Sequence, residues 1–218
     1  RQSGVPTLHY VCPSVWAWRQ GRIEKIRAAC DRVLALLKFE KDFLDVHGMP
    51  CTYVGHTLAN TIALEVDSAR ARERIDLDRT CVDGVPGKVM GILPGSRPKV
   101  IARMLPVYAQ TARLIRRALP EVCFISTVPT YALAQQVKDL WLENAPDLSL
   151  TLYVGISHDV IASCDAVLLT SGTVALEAML LKCPHAVAYK LSPLNALIGR
   201  RLIKVHTYSL PNLIASRT

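Results

Sequence analysis

Two short loops in the second half of the chain carry residues suited to binding a phosphorylated ligand. The first contains Gly95, Ser96 and Arg97 after an apolar run. Glycine lets the backbone approach a ligand closely, the serine hydroxyl can hydrogen-bond, and the guanidinium presents a fork of donors that matches phosphate. An ordinary strand-to-helix turn with a solvated arginine explains these residues equally well. This loop alone leaves both interpretations open.

The second loop contains Ser171, Gly172 and Thr173 at the predicted start of a helix. Free N–H groups and the positive end of a helix dipole at that point suit a pyrophosphate. Glu177 follows about 9 Å further along the helix, at a rise of 1.5 Å per residue. There its carboxylate is placed to accept hydrogen bonds from both hydroxyls of a ribose. In the alternative, the hydroxyl residues only cap the helix and Glu177 faces solvent; the apolar neighbours of Glu177 favour the first interpretation.

Other common sites are not indicated. Neither loop matches G-x-x-x-x-G-K-[ST] or G-x-G-x-x-G, so neither a P-loop nor a dinucleotide fingerprint is predicted. The six histidines lack metal-ligand spacing and the seven cysteines form no C-x-x-C pair, so no metal and no cofactor is predicted. The cysteines are interpreted as reduced, small apolar residues of a cytosolic protein.

The elements that must position the two loops alternate regularly. Apolar runs rich in β-branched residues precede the loops at 89–93 and 166–169, and helix-period stretches follow at 100–119 and 171–181. Continuous apolar strands separated by helices of about 10–15 residues indicate a parallel sheet covered on both faces. Ligands bind such sheets at the carboxyl ends of the strands. The predicted fold class is therefore α/β, with doubly wound parallel Rossmann-type sheets.

Composition and charge narrow the possible partners. The 218 residues are 50% hydrophobic with a net charge of +8, which favours anionic ligands. The basic residues are dispersed without the aromatic interleaving of base-stacking surfaces, so nucleic acid is not the predicted partner. A polar stretch at 55–87, with one helix predicted near 68–75, is interpreted as an interdomain connection. A basic amphipathic helix predicted near 194–204 either packs its apolar side on a sheet, the interpretation we favour, or touches an anionic membrane.

Five motifs resemble those of bacterial lipid-A-disaccharide synthases, in that family's order and spacing over essentially the whole chain. They are YVCPSVWAWR at 10–19, VGH at 54–56, LPGSR at 93–97, SGTVALE at 171–177 and SLPNLIA at 209–215. The resemblance implies a GT-B glycosyltransferase, with part of the amino-terminal acceptor-side domain in 1–60 and most of the UDP-sugar-binding domain in 61–218. It also implies a hexosyltransferase that moves 2,3-diacylglucosamine from UDP to 2,3-diacylglucosamine 1-phosphate, peripheral on the cytoplasmic face of the inner membrane. Its oligomeric state stays open.

The resemblance also assigns roles to residues. Arg97, with Gly95 and Ser96, would neutralise phosphate charge, and Ser171, Gly172 and Thr173 would hold the pyrophosphate. Glu177 would bind the ribose and Asn212 would lie at the UDP site; Ser14 and Trp16 would border the cleft from the other domain, with His56 at the interdomain turn.

The chain also departs from the family pattern. The family's glycine-rich acceptor loop and the aspartate thought to act as base are absent, as is its carboxyl-terminal segment, so we expect this chain alone to bind UDP at most. Val100, Lys38 and Asn60 replace residues usual in the family. One alternative is another UDP-sugar enzyme of GT-B shape, similar to UDP-N-acetylglucosamine 2-epimerase, which the PSVWAWR segment argues against. The other is a non-catalytic basic module that binds anions or nucleic acid.

Overall fold

The computed structural model describes residues 4–77, 87–191, 207 and 209–215. The chain divides into an amino-terminal unit, Arg1–Thr61 with Leu191–Thr218, and a central unit, Ile62–Lys190. The sequence-based division into 1–60 and 61–218 has its boundary next to the one between Thr61 and Ile62, and differs in assigning the residues after 190 to the second domain. The predicted helix near 194–204 lies outside the described residues.

Strands and helices alternate along the described chain. The strands are β1 (Leu8–Tyr10), β2 (Arg32–Ala35), β3 (Cys51–Tyr53), β4 (Lys88–Leu93), β5 (Val122–Val128), β6 (Thr151–Val154), β7 (Ala166–Thr170) and β8 (His185–Ala188). The helices are α1 (Ile23–Ala29), α2 (Lys38–Val46), α3 (Leu58–Thr61), α4 (Ser68–Arg74), α5 (Pro98–Ala118), α6 (Tyr131–Asn144), α7 (Ser157–Ser163), α8 (Thr173–Leu180) and α9 (Leu210–Ile214), with short 3₁₀ helices at Ser14–Trp16 and Gln20–Arg22.

The amino-terminal unit contains a parallel sheet in the order β1-β2-β3. Its core includes Val33 of β2 and Leu44 of α2, both fully buried. Because successive strand residues point to opposite faces, Leu8 and Tyr10 of β1 share the other face with Leu34, which pairs with Tyr10. Leu8 is 66% exposed and Tyr10 is 53% exposed. Among the described residues, the face of this sheet that contains Val33 is therefore packed at its centre, whereas Leu8 and Tyr10 on the other face are left exposed.

The central unit contains a five-stranded parallel sheet in the order β6-β5-β4-β7-β8. Helices α5 and α6 pack on one face around Ile92 and Phe124, while α4, α7 and α8 pack on the other around Leu93 and Leu169. From β4 the chain adds strands towards one edge, and from β7 it adds a strand towards the other. The point between β4 and β7 is thus a topological switch point. The predicted doubly wound parallel α/β class is confirmed.

Two sequence-based interpretations need correction. The helix predicted near 68–75 is present as α4, but it is not a mere connection, because its Ala71 is fully buried against the central sheet. Arg72 and Arg74 of the same helix pair with Asp165 and Asp159, so α4 is part of the central unit's core layer. The cysteines are also not all reduced, because Cys123 is disulfide-bonded.

Within the described residues, no helix combines the length and the apolarity that crossing a membrane requires.

Candidate functional site

The two loops predicted to bind phosphate follow neighbouring strands at the switch point. Leu93 of β4 pairs with Leu169 of β7, so the loops leave the same edge of the sheet side by side. Gly95 has φ +107°, and a Cβ placed on it would lie 3.3 Å from Val100 Cγ1 and 3.9 Å from Thr170 Cβ. Glycine at this position therefore allows both the backbone conformation and the close approach of the loops.

Arg97 is the N-cap residue of α5 and has extended backbone geometry. Its carbonyl accepts the N–H groups of Val100 and Ile101 at 2.9 and 3.0 Å, and Pro98 begins the helix where a missing N–H costs nothing. Ser96 and Arg97 are both exposed. No carboxylate of the described residues lies within 4.0 Å of the Arg97 guanidinium. Its positive charge is therefore not offset by an ion pair in that part of the chain.

Helix α8 begins at the end of the second loop. Gly172 is its N-cap, and Gly172 and Thr173 are exposed. Before it, the Ser171 backbone N–H donates to the Ala188 carbonyl at 3.3 Å, which ties the loop to β8. Because the N-cap is a glycine, neither hydroxyl residue occupies the capping position that the alternative interpretation required. The Ala175 N–H donates to the Gly172 carbonyl at 3.3 Å. The N–H groups of Thr173 and Val174, which precede it, have no carbonyl to reach within the helix and lie beside exposed residues.

Glu177 lies just over one turn after the first residue of α8, and its side chain is only 18% exposed. Its Oε2 accepts a hydrogen bond from Ser157 Oγ at 3.3 Å and lies 3.7 Å from His158 Nε2. Glu177 is therefore not turned towards bulk solvent. Arg97 begins a helix on one face of the sheet and Glu177 lies in a helix on the other. A single ligand can therefore contact both residues only at the carboxyl edge of the sheet, where the loops after β4 and β7 lie side by side.

A buried hydrogen bond connects α5 to the carboxyl end of β7 at this edge of the sheet. Tyr108 Oη of α5 and Thr170 Oγ1, at the end of β7, lie 3.0 Å apart. Both side chains are buried, and burial raises the pKa of Tyr108 to about 12 although the contact with Thr170 lowers it. The tyrosine is therefore a neutral hydroxyl at physiological pH. The sequence marks Thr170 as a candidate because it directly precedes the predicted loop at Ser171, whereas nothing in the sequence marks Tyr108 as its partner.

The remaining predicted site residues belong to the amino-terminal unit. Ser14 is exposed, and Trp16 packs edge-on against Phe39 with ring centroids 4.9 Å apart. His56 Nδ1 accepts the Leu58 N–H at 3.1 Å, which leaves Nε2 to carry the proton of a neutral ring. Asn212 is half-buried in α9.

Burial has an electrostatic consequence beside Trp16. The carboxyl group of Glu40 is buried, and burial raises its pKa above the ordinary value of 4.5. The Leu37 N–H, which donates to Glu40 Oε2 at 3.1 Å, only partly offsets that rise. No sequence signal marked Glu40 as buried.

A cavity of about 320 Å³ lies elsewhere, between the carboxyl end of α6 and the start of β6, lined by residues that include Lys138, Trp141 and Ser149. It contains none of the predicted site residues.

Two Rossmann-type units with parallel sheets, one of them with a topological switch point, define the GT-B-like class of α/β proteins. The chain belongs to the lipid-A-disaccharide synthetase family, whose model matches residues 1–218. It is 44% identical over 217 residues to the lipid-A-disaccharide synthase of Idiomarina loihiensis, covering all of this chain and 56% of that protein. The corresponding values for the Psychromonas ingrahamii synthase are 45% identity and 55% of that protein. The chain thus spans about half the length of these relatives.

Among solved structures, the chain is similar to one described as a co-structure of S. aureus MnaA and UDP. The TM-score is 0.53 with 14% identity, covering 86% of this chain and 50% of the other. At that identity the likeness concerns the fold alone.

Proposed function

We propose that this chain supplies the donor side of a lipid-A-disaccharide synthase and binds a UDP-sugar at the switch point of the central unit. The observation that carries the proposal is the meeting of the Arg97 loop and the start of α8, with Gly95 packed beside Thr170. Membership of the synthetase family supports it. A solved structure of similar fold is titled as containing UDP, which agrees with the proposed ligand.

The proposed roles follow from the chemistry of each group. The Arg97 guanidinium and the first-turn N–H groups of α8, beside Gly172 and Thr173, bind the pyrophosphate. Ser96 and Ser171 lie in the same two loops and supply further polar contacts. Glu177 accepts hydrogen bonds from the ribose hydroxyls. The site thereby uses both charge and hydrogen bonds to hold the nucleotide.

In the proposed reaction, the 6-hydroxyl oxygen of 2,3-diacylglucosamine 1-phosphate bonds to the anomeric carbon of the 2,3-diacylglucosamine donor. The bond from that carbon to the diphosphate breaks, and UDP leaves with the electron pair. The acceptor hydroxyl loses its proton to a base that we assign to no residue of this chain. Arg97 and the α8 N–H groups stabilise the negative charge that develops on UDP.

The residues of the amino-terminal unit take supporting roles in this proposal. Asn212 contributes to UDP binding, Ser14 and Trp16 border the acceptor side, and His56 shapes the turn at the end of that unit. Both substrates carry acyl chains, so the proposed place of action is the cytoplasmic face of the inner membrane, with the protein peripheral to it. The net charge of +8 favours an anionic surface.

Titration calorimetry of UDP tests the nucleotide site. We expect Arg97→Ala to weaken UDP binding about tenfold to a hundredfold, because a charge-assisted hydrogen bond contributes about 1.5–3 kcal/mol. Arg117→Ala is the matched control, since Arg117 is exposed near the other end of the same helix. Absence of UDP binding to the folded chain, or equal affinity in Arg97→Ala and the control, contradicts the proposal.

A further inference from the structure

Glu177 receives two side-chain contacts from a helix that comes earlier in the chain. Ser157 and His158, the first two residues of α7, both reach the same carboxylate oxygen, Oε2, at 3.3 and 3.7 Å. Neither contact uses Oε1. The carboxylate is therefore held on one side, and its other oxygen is left to accept a hydrogen bond from elsewhere.

The helix that carries these two residues is itself firmly placed. Val160 and Ile161 of α7 are fully buried in the central core. On its outer side, Arg74 Nε donates to Asp159 Oδ1 at 2.8 Å and Arg72 Nε donates to the Ser163 carbonyl at 3.0 Å. Because α7 packs on the sheet and is hydrogen-bonded to α4, its residues Ser157 and His158 contact α8 from a fixed position.

We propose that Ser157 and His158 are positioning residues for nucleotide recognition, which fix the Glu177 carboxylate with Oε1 towards the ribose hydroxyls. This inference rests on the proposed UDP site and deepens it. A free glutamate side chain loses conformational entropy when a ligand fixes it. Contacts that fix it beforehand reduce that loss and so strengthen binding only of ligands that use the carboxylate. Ser157 and His158 therefore set the preference for a ribose over a sugar without hydroxyls.

The test compares two ligands, UDP and 2′,3′-dideoxy-UDP, by titration calorimetry on the full chain. Glu177→Gln should remove most of the preference for UDP. The double variant Ser157→Ala/His158→Ala should reduce the same preference about fivefold to tenfold while dideoxy-UDP binds as before. Each single substitution should shift it less and in the same direction. Unchanged dideoxy-UDP affinity also reports that the phosphate site remains folded.

The matched control is Ser68→Ala/His9→Gln, which alters a serine that begins another helix and an exposed histidine of the amino-terminal unit. In a Glu177→Gln background, the Ser157→Ala/His158→Ala change should add no further loss, because the contacts act through the carboxylate. If the preference for UDP over dideoxy-UDP is kept in Ser157→Ala/His158→Ala but lost in Glu177→Gln, this inference is wrong while the proposed function stands. The same holds if Ser157→Ala/His158→Ala weakens the binding of both ligands equally. Failure of the unaltered chain to bind UDP overturns the proposed function and the inference together.

Discussion

The two units build parallel sheets that are covered to different extents. In the central sheet, consecutive residues such as Ile92 and Leu93 are both buried, because helices cover both faces. In the amino-terminal sheet, Val33 is buried while Leu8 and Tyr10 on the other face are exposed. Parallel sheets normally have both faces covered. The comparison shows that apolar strand composition predicts a sheet but does not tell which of its faces are covered in this chain.

The largest effects should come from opposite faces of the central sheet. Ile92 and Leu169 are fully buried in different core clusters. We expect Ile92→Ala and Leu169→Ala each to lower the free energy of unfolding of the central unit by about 2–5 kcal/mol, through lost burial and a residual cavity. Native-state hydrogen exchange of the β4 and β7 amides measures this loss in that unit. Tolerance of either substitution would show that one face is not a tightly packed core.

The free energies of unfolding of the two units should also depend differently on pH, by less than the core substitutions change them. Burial by itself raises the pKa of Asp165, but the Val89 N–H, Arg72 and Lys88 together lower it below the ordinary 3.8. Its stabilisation is therefore present above pH 3.8 and is lost as pH falls through the lowered pKa. The raised pKa of Glu40 has the opposite sign: its contribution is present below pH 4.5 and is lost as pH rises through the raised pKa.

Acidification from neutral pH towards 4.5 should therefore stabilise the amino-terminal unit through Glu40, whereas acidification below 3.8 should destabilise the central unit through Asp165. Hydrogen exchange followed unit by unit against pH checks both slopes. Glu40→Gln and Asp165→Asn are the controls, and each should flatten the pH dependence of its own unit only. The same slope in both units contradicts the assignment.

The smallest change in stability should come from the exposed residues Leu8 and Tyr10 of the amino-terminal sheet. Leu8→Ser should change the free energy of unfolding of that unit by no more than about 0.5 kcal/mol, because the side chain is already exposed. Leu44→Ala, on the packed side, should cost about 2–5 kcal/mol. Denaturation of the two variants under identical conditions makes the comparison. A large loss from Leu8→Ser would show that this face is covered in solution.

Much of the central unit could be predicted from sequence, because long apolar runs followed by glycine-containing loops mark β4 and β7. The ends of elements were less predictable. Helix α5 begins at Pro98 rather than 100, since proline suits a first helical position. Helix α8 begins at Thr173 rather than 171, because Gly172 is the N-cap. The packing of α4 was missed because Ala71 is surrounded by arginines and acidic residues that mask its apolar side.

In the candidate site, residues next to a strand end were predictable and their partners were not. Gly95 and Arg97 follow β4 directly, so the rule for parallel sheets placed them at one edge. The contact of Glu177 with Ser157 spans 20 residues and a crossover, and that of Tyr108 with Thr170 spans 62. Such pairs depend on the position at which each helix packs along the sheet, and the periodicity of a single sequence does not determine that position.

The pairing of β4 with β7 has a consequence for how this protein tolerates change. The two loops of the proposed site are joined through backbone hydrogen bonds of adjacent strands, although more than seventy positions of sequence separate them. The intervening turns near 119–121 and 145–150 lie at the opposite end of the sheet. Insertions in the exposed turn at 119–121 should therefore leave the spacing between Arg97 and the start of α8 unchanged, whereas the turn at 145–150 is constrained by the buried residues Ala145 and Leu148.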